Sequence, residues 1–288
     1  GDTQLPVELV AQRTAALARV AEHAASDPGK LRYIVGSEVP AAGGSKDEEE
    51  QLSVTSPAAA AETIAAIQMA FEAQGLQEAW SRVRGLVVQP GVEFGENQIH
   101  DYEPEKAAAL SQMIESVPGM VFEAHSTDYQ TPQALKKLVE DHFAILKVGP
   151  GLTFALREGL VALAMIESQL LPQNNSRIIQ TLEHTMVEKP GYWQEHYHGD
   201  ADHQRLSRWF SFSDRIRYYW ANDQVSAAEK QLYQNLDRTG IPLTLLSQYM
   251  PAQFRKVRAG TLAATASALL MDKVEEVLED YAFAVSNR

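Results

Sequence analysis

The chain contains no cysteine. A disulfide scaffold, a Cys-ligated zinc or iron–sulfur site and a thiol nucleophile are therefore excluded, and any metal must be held by histidine and carboxylates. Basic residues are also in deficit: 25 Lys and Arg against 38 Asp and Glu give a formal net charge of −13. Nucleic acid is a poor partner for such a surface, because displacing counterions from phosphates needs cationic side chains. A local basic pocket for a small phosphate ester is still allowed, since net charge describes the whole surface and not one cleft. Long apolar runs are missing as well: none reaches the roughly 18 residues expected of a membrane span. The first residues carry neither the basic n-region nor the apolar h-region of a signal peptide. The expectation is a cytoplasmic protein without a membrane partner, for which the sequon Asn174-Asn175-Ser176 has no meaning. The chain opens on Gly1, directly before Pro6 and a helical pattern, so the natural start is expected to lie elsewhere.

What is present is ordinary globular material. A hydrophobic share of 45% with 22% charged residues excludes disordered, collagen-like and coiled-coil readings. A length of 288 residues suits one large domain or two ordinary ones.

Periodicity orders the chain. Pro6 to Ala25 reads as an amphipathic helix with Pro at its first turn. Short β-rich runs follow at Leu31–Gly36, Arg82–Gln89, Met120–Ala124 and Phe143–Val148, each closed by Gly or Pro or by a polar turn. Helical patterns fill the intervals from Ser56 to Gly75, Leu76 to Ser81, Pro104 to Val117, Thr131 to Glu140 and Leu152 to Leu170. Strands alternating with helices indicate a parallel sheet with helices outside it. Beyond Pro172 the alternation stops, and 173–288 reads as a helical extension ending in a helix over Ala264–Tyr281. The expected division is 1–172 and 173–288. Four βα units make half of an eight-unit barrel. A small doubly wound sheet competes, but the suggestive polar residues follow several strand ends, as in barrels, and do not gather at one switch point.

Those strand ends carry the chemistry. Lys147-Val148-Gly149-Pro150-Gly151-Leu152-Thr153 opens a helix, whose free amides can hold a phosphate with Lys147 as a point charge. The alternative is a glycine turn that only lets strand and helix pack. His125, after an apolar strand, suits a metal ligand or a core histidine bonded to backbone. Ser126 and Thr127 can donate to phosphate oxygens or cap a turn. Glu38 and Glu93 are single carboxylates among apolar residues, fit to ligate a metal, to act as general bases, or to accept from loop amides. His196, His198 and His203 have ligand-like spacing but lie among Gly, Asp and Gln, which favours a solvated loop. Arg215 and Arg217, beside Tyr218, Tyr219 and Trp220, suit a bidentate clamp on phosphate or an aromatic-rich interface.

Several strings together resemble the non-catalytic (Z-type) subunit family of D-tagatose-1,6-bisphosphate aldolase. They include Tyr33-Ile34-Val35-Gly36-Ser37-Glu38-Val39-Pro40, Val87-Val88-Gln89-Pro90-Gly91-Val92-Glu93-Phe94 and Phe122-Glu123-Ala124-His125-Ser126-Thr127-Asp128-Tyr129-Gln130-Thr131. Asp141 to Pro150, Leu152 to Glu158, Ser213 to Trp220 and Ser247-Gln248-Tyr249 continue the match. The resemblance implies a (β/α) TIM barrel of class II aldolase type, of which this chain holds the C-terminal four units, plus the helical extension. It implies a further N-terminal segment in family members that carries an Asp-His motif. It implies a divalent metal, zinc by analogy, with His125 placed like a ligand and Glu93 standing where catalytic relatives use histidine. Glu93, Glu38 and Asp128 become the candidate proton carriers, and a ketohexose phosphate the ligand.

Two functions follow from the resemblance, both in tagatose and galactitol metabolism. One is an accessory subunit that supports a catalytic aldolase partner. The other is a metal-dependent 4-epimerase interconverting tagatose 6-phosphate and fructose 6-phosphate. Oligomerisation is expected in either case. No Gly-x-x-x-x-Gly-Lys-Ser/Thr loop and no kinase signature is present, so nucleotide-driven phosphoryl transfer gains no support.

Overall fold

The computed structural model describes residues 5–37 and 52–286. By its internal contacts the chain divides into two units, Gly1–Val148 with Tyr281–Arg288, and Gly149–Asp280. Glu38 lies outside the described residues.

The first unit is the α/β part. Helix α1 (Val7–Ala24) precedes strand β1 (Tyr33–Val35), and α2 (Pro57–Ala73) with α3 (Gln77–Trp80) leads to β2 (Val83–Val88). A small antiparallel pair, β3 (Glu93–Phe94) and β4 (Ile99–His100), comes before α4 (Pro104–Ile114), β5 (Val121–Ala124), α5 (Pro132–Glu140) and β6 (Ile145–Leu146). Four strands form one parallel sheet in the order β1-β2-β5-β6. The parallel sheet and its sequential order agree with the strand–helix alternation, and the arrangement is compatible with a TIM-barrel-like fold. The β3–β4 pair is a departure, because two-residue strands are too short to show a period of two in the sequence.

Local chemistry explains the helix starts. Ser56 and Thr131 each precede a proline at the first helical turn, and their hydroxyls accept from the amides of Ala59 and Ala134, both at 3.1 Å. Alternation then sets the faces of the sheet. Phe122 and Ala124 on β5 join a core with Leu86 and Val88 of β2, Phe71 of α2 and Leu110 of α4. Glu123, between them, projects from the opposite face.

The second unit is helical: α6 (Pro150–Leu170), α7 (Ile178–Glu188), α8 (Ala201–Phe210), α9 (Asp223–Thr239), α10 (Leu243–Tyr249), α11 (Pro251–Arg258) and α12 (Ala266–Val285). The last residues of α12, from Tyr281, count with the first unit. By internal contacts α6 groups with the later helices, from Gly149 onward. The reason is the apolar face of α6: Leu160, Leu163 and Ile166 pack with Ile178, Leu182, Leu232, Leu236 and Leu269 of the later helices. Glu167, 1% exposed on the same helix, is fully served: Oε1 accepts from the Ser176 amide at 2.9 Å and Asn235 Nδ2 at 2.6 Å, and Oε2 accepts from Ser176 Oγ at 2.6 Å. No helix among the described residues is long and apolar enough to cross a membrane.

Candidate functional site

The rim of the parallel sheet is built from the ends of β5 and β6. Strand β5 ends at Ala124, and the next residues turn sharply, with Ser126 at φ 53° and Tyr129 at φ 65°. Left-handed backbone at non-glycine residues is uncommon and is held only where surroundings over-determine it. Here the surroundings are visible. The Thr127 amide donates to the Lys147 carbonyl at 3.2 Å, and the Thr127 hydroxyl donates to the same oxygen at 2.7 Å. Gln130 holds the other end: its Oε1 accepts from the Tyr102 amide at 3.0 Å and its Nε2 donates to His100 O at 2.9 Å. Tyr129 meets Phe94 edge-on at 5.3 Å.

Two polar groups sit on this frame. In one, His125 Nε2 lies 2.8 Å from Glu123 Oε1, and Lys147 Nζ is 3.7 Å from that same oxygen. Glu123 was not singled out by sequence reasoning. Its signal was available: an acid inside the apolar run Met120–Ala124, two residues before His125 and hence on the same strand face. In the other group, Glu93 is 5% exposed and accepts from the Phe94 amide at 3.0 Å. Burial, with the negative charge of Asp128 nearby, holds the Glu93 carboxyl above the usual carboxylate range, while the Phe94 amide and the Ser126 hydroxyl pull the other way. Asp128 is itself 2% exposed. The structure thus brings Glu93, Ser126 and Asp128 together, and places Thr127 beneath them as a fully buried tie.

The remaining candidates lie in the second unit. Gly149 precedes α6, and a Cβ there would meet nothing within 4 Å. Gly151 is buried. Thr153 Oγ1 donates to Pro150 O at 3.2 Å and to Asp214 Oδ2 at 2.5 Å. Asp214, at φ 46° and 2% exposed, also faces Arg157, whose Nε is 3.4 Å from Oδ1. Burial raises the Asp214 carboxyl above its ordinary range despite Thr153, Arg157 and Arg217, which all pull it down. Arg215 contacts His196 through Nη2. Arg217 donates to the Ser213 and Asp214 carbonyls and sits 4.5 Å over the Tyr218 ring. The two arginines are therefore already engaged, Arg215 with a histidine and Arg217 with backbone. Arg157, a base in an apolar stretch, and Asp214, which opens the Arg215–Trp220 string, were given no role by the sequence reading.

The residues were tested for a metal centre. No group of three or more His, Asp or Glu among the described residues is arranged to hold an ion. His125 turns one nitrogen to Glu123, and Glu93 is occupied by Phe94 and Ser126. Among the described residues the expected ligand pair of His125 and Glu93 does not make a metal site by itself.

Comparison with known proteins adds the family. A family model described as D-tagatose-1,6-bisphosphate aldolase subunit GatZ/KbaZ-like matches residues 1–286. The chain is also similar to a solved structure described as a probable tagatose 6 phosphate kinase from Sinorhizobium meliloti 1021. The two share 47% identity with a TM-score of 0.90, over 99% of this chain and 69% of that one.

Proposed function

The chain belongs to the D-tagatose-1,6-bisphosphate aldolase subunit GatZ/KbaZ-like family, and from that premise we propose that it is an accessory, non-catalytic subunit supporting a separate catalytic aldolase subunit. The match of the family model to residues 1–286 carries this reading. The polar groups of the rim favour it, because they are spent largely on one another: Thr127 on Lys147, His125 on Glu123, Glu93 on Phe94. The work takes place in carbohydrate metabolism, in the cytoplasm, on a ketohexose phosphate. A divalent metal, zinc by analogy with class II aldolases, belongs to this proposal only with ligands beyond His125 and Glu93, and no step is routed through it. Copurification tests the reading. The complete protein is expected to bind the catalytic subunit and to raise its melting temperature or its activity. An absence of all three effects sinks it.

One observation favours a second reading. Glu93 and Asp128 are buried carboxyls beside each other, and burial raises the proton affinity of Glu93 above that of an ordinary carboxylate. Such a carboxyl suits a 4-epimerase acting by carbon–carbon cleavage. The C4 hydroxyl of tagatose 6-phosphate gives up its proton to the carboxylate, and the C3–C4 bond breaks. Its electron pair passes to the three-carbon enediolate. The aldehyde rotates, the enediolate re-adds to its other face, and the proton returns to the oxygen on inverted C4. Lys147 in the first unit is then a candidate for the phosphate, and Gly149, Gly151, Thr153, Arg215 and Arg217 are the candidates within the second. Fructose 6-phosphate incubated with the complete protein and added divalent metals should yield its C4 epimer; none formed under any metal removes this reading. The name of the Sinorhizobium relative includes a kinase, but this chain has no phosphate-binding Gly-x-x-x-x-Gly-Lys-Ser/Thr loop for a nucleotide.

A further inference from the structure

We infer that Glu123 is a positioning residue for His125: it fixes the ring by taking the Nε2 proton and leaves Nδ1 as the acceptor nitrogen presented at the sheet rim. Buried acids normally have both oxygens hydrogen-bonded. Glu167 of α6 shows the structural case, since both of its oxygens accept hydrogen bonds from Ser176 or Asn235. Glu123 does not follow it. Its side chain is 4% exposed, yet Oε2 is buried without a hydrogen-bond partner among the described residues, while Oε1 accepts from His125 Nε2 at 2.8 Å and lies at an ion-pair distance of 3.7 Å from Lys147 Nζ. A buried carboxylate oxygen left unserved is costly, and in native proteins such groups call for a reason other than stability.

The strand holds Glu123 in place. Its Cα pairs with Val87 of β2 on one side and Ile145 of β6 on the other, which fixes the backbone from which the carboxylate projects. His125 follows two residues later on the same face, and the backbone turns to φ 53° at the next residue, Ser126. The imidazole is thereby held at the strand end with its side chain 22% exposed. A carboxylate accepts and has no proton to give, so Nε2 must carry the hydrogen, and a neutral ring then has its lone pair on Nδ1. No hydrogen bond is made by Nδ1 among the described residues. The same arrangement, a carboxylate behind a histidine, selects the tautomer in many catalytic and metal-binding histidines. What Nδ1 accepts rests on the reading of this rim as a sugar-phosphate site: a proton of a ligand hydroxyl. The tautomer itself does not depend on that reading.

The test is a long-range 1H–15N spectrum of the complete, uniformly 15N-labelled protein after chelation, with His125 assigned by its loss in His125→Asn. At a pH where the ring is neutral, the expected result is a protonated, pyrrole-type Nε2 and a pyridine-type Nδ1. Glu123→Gln should keep this pattern, because the amide oxygen still accepts from Nε2. Glu123→Leu should collapse it to averaged ring resonances. The opposite tautomer or averaged resonances in the unsubstituted protein overturn the inference. So does a folded Glu123→Leu protein with the original pattern. If Glu123→Leu does not fold, the unsubstituted and Glu123→Gln spectra still decide. An Nε2-protonated ring in a protein that neither binds the catalytic subunit nor forms a C4 epimer would refute the proposed function while leaving this inference standing.

Discussion

The Tyr281 hydroxyl donates to the Thr127 carbonyl at 2.9 Å and lies 3.0 Å from the Thr127 hydroxyl, joining the end of α12 to the strained rim loop across 154 residues of sequence. Thr127 has no exposed surface, so this contact stabilises the loop that carries His125 and Asp128 without touching a ligand itself. Tyr281→Phe removes the donor and leaves a buried carbonyl short of one partner. The expected loss is about 1 kcal/mol, read from the midpoint of urea unfolding.

Glu93 makes stability depend on pH. Its folded carboxyl titrates above the ordinary range because it is buried beside Asp128. A raised folded value means that the native state binds the proton more tightly than the unfolded chain does. Stability is therefore lost as pH climbs from the unfolded carboxylate value through the raised one, and it stays lost above. Glu93→Gln is expected to melt higher than the unsubstituted protein at neutral pH, with the gap closing towards roughly pH 4. Thermal unfolding of both proteins between those limits checks the sign. A constant gap would show that Glu93 is ionised in the folded protein at no cost.

Arg157 and Asp214 are 3% and 2% exposed and face each other at 3.4 Å, with Arg217 adding its charge at Asp214. Removing one member of such a pair strands the other in the interior. Arg157→Met is expected to cost about 3–5 kcal/mol, measured by chemical denaturation. Adding Asp214→Asn should recover most of that loss. Asparagine tolerates the left-handed backbone at this position and still accepts from Thr153.

Gly36 lies just beyond β1, where a Cβ would stand 2.6 Å from Val87 Cβ and 3.0 Å from the Val87 carbonyl. Backbone cannot give way as a flexible side chain does. Gly36→Ala should therefore push β1 from β2 and cost about 1–3 kcal/mol, with hydrogen exchange rising at Tyr33–Val35. Unchanged protection there would show that the strand edge yields freely.

Much of the fold was legible because its signals are local. Ser56-Pro57 and Thr131-Pro132 announce helix starts by capping chemistry, and the runs Leu31–Gly36, Arg82–Gln89, Met120–Ala124 and Phe143–Val148 announce strands by their apolar residues. The rim residues were legible by their position after those strands. Their partners were less so. Glu123 is a single acid in an apolar run with His125 two residues on as its only local signal, and Arg157 is a single base in an apolar helix whose partner Asp214 lies far along the chain.

The sequence by itself determined the alternation of strands and helices, the exclusion of thiol chemistry and the family strings. Each depends on residue type and short spacing alone. Tertiary structure decided the rest: the β1-β2-β5-β6 order, the boundary at Gly149, and the pairings of His125 with Glu123, Glu93 with Asp128 and Thr127 with Tyr281. The physical reason is that these are contacts in space, most of them between residues far apart along the chain. A hydrogen bond or a shift in a carboxyl's proton affinity is set by what lies within a few ångströms and by the water that packing removes, and no period in the sequence records either.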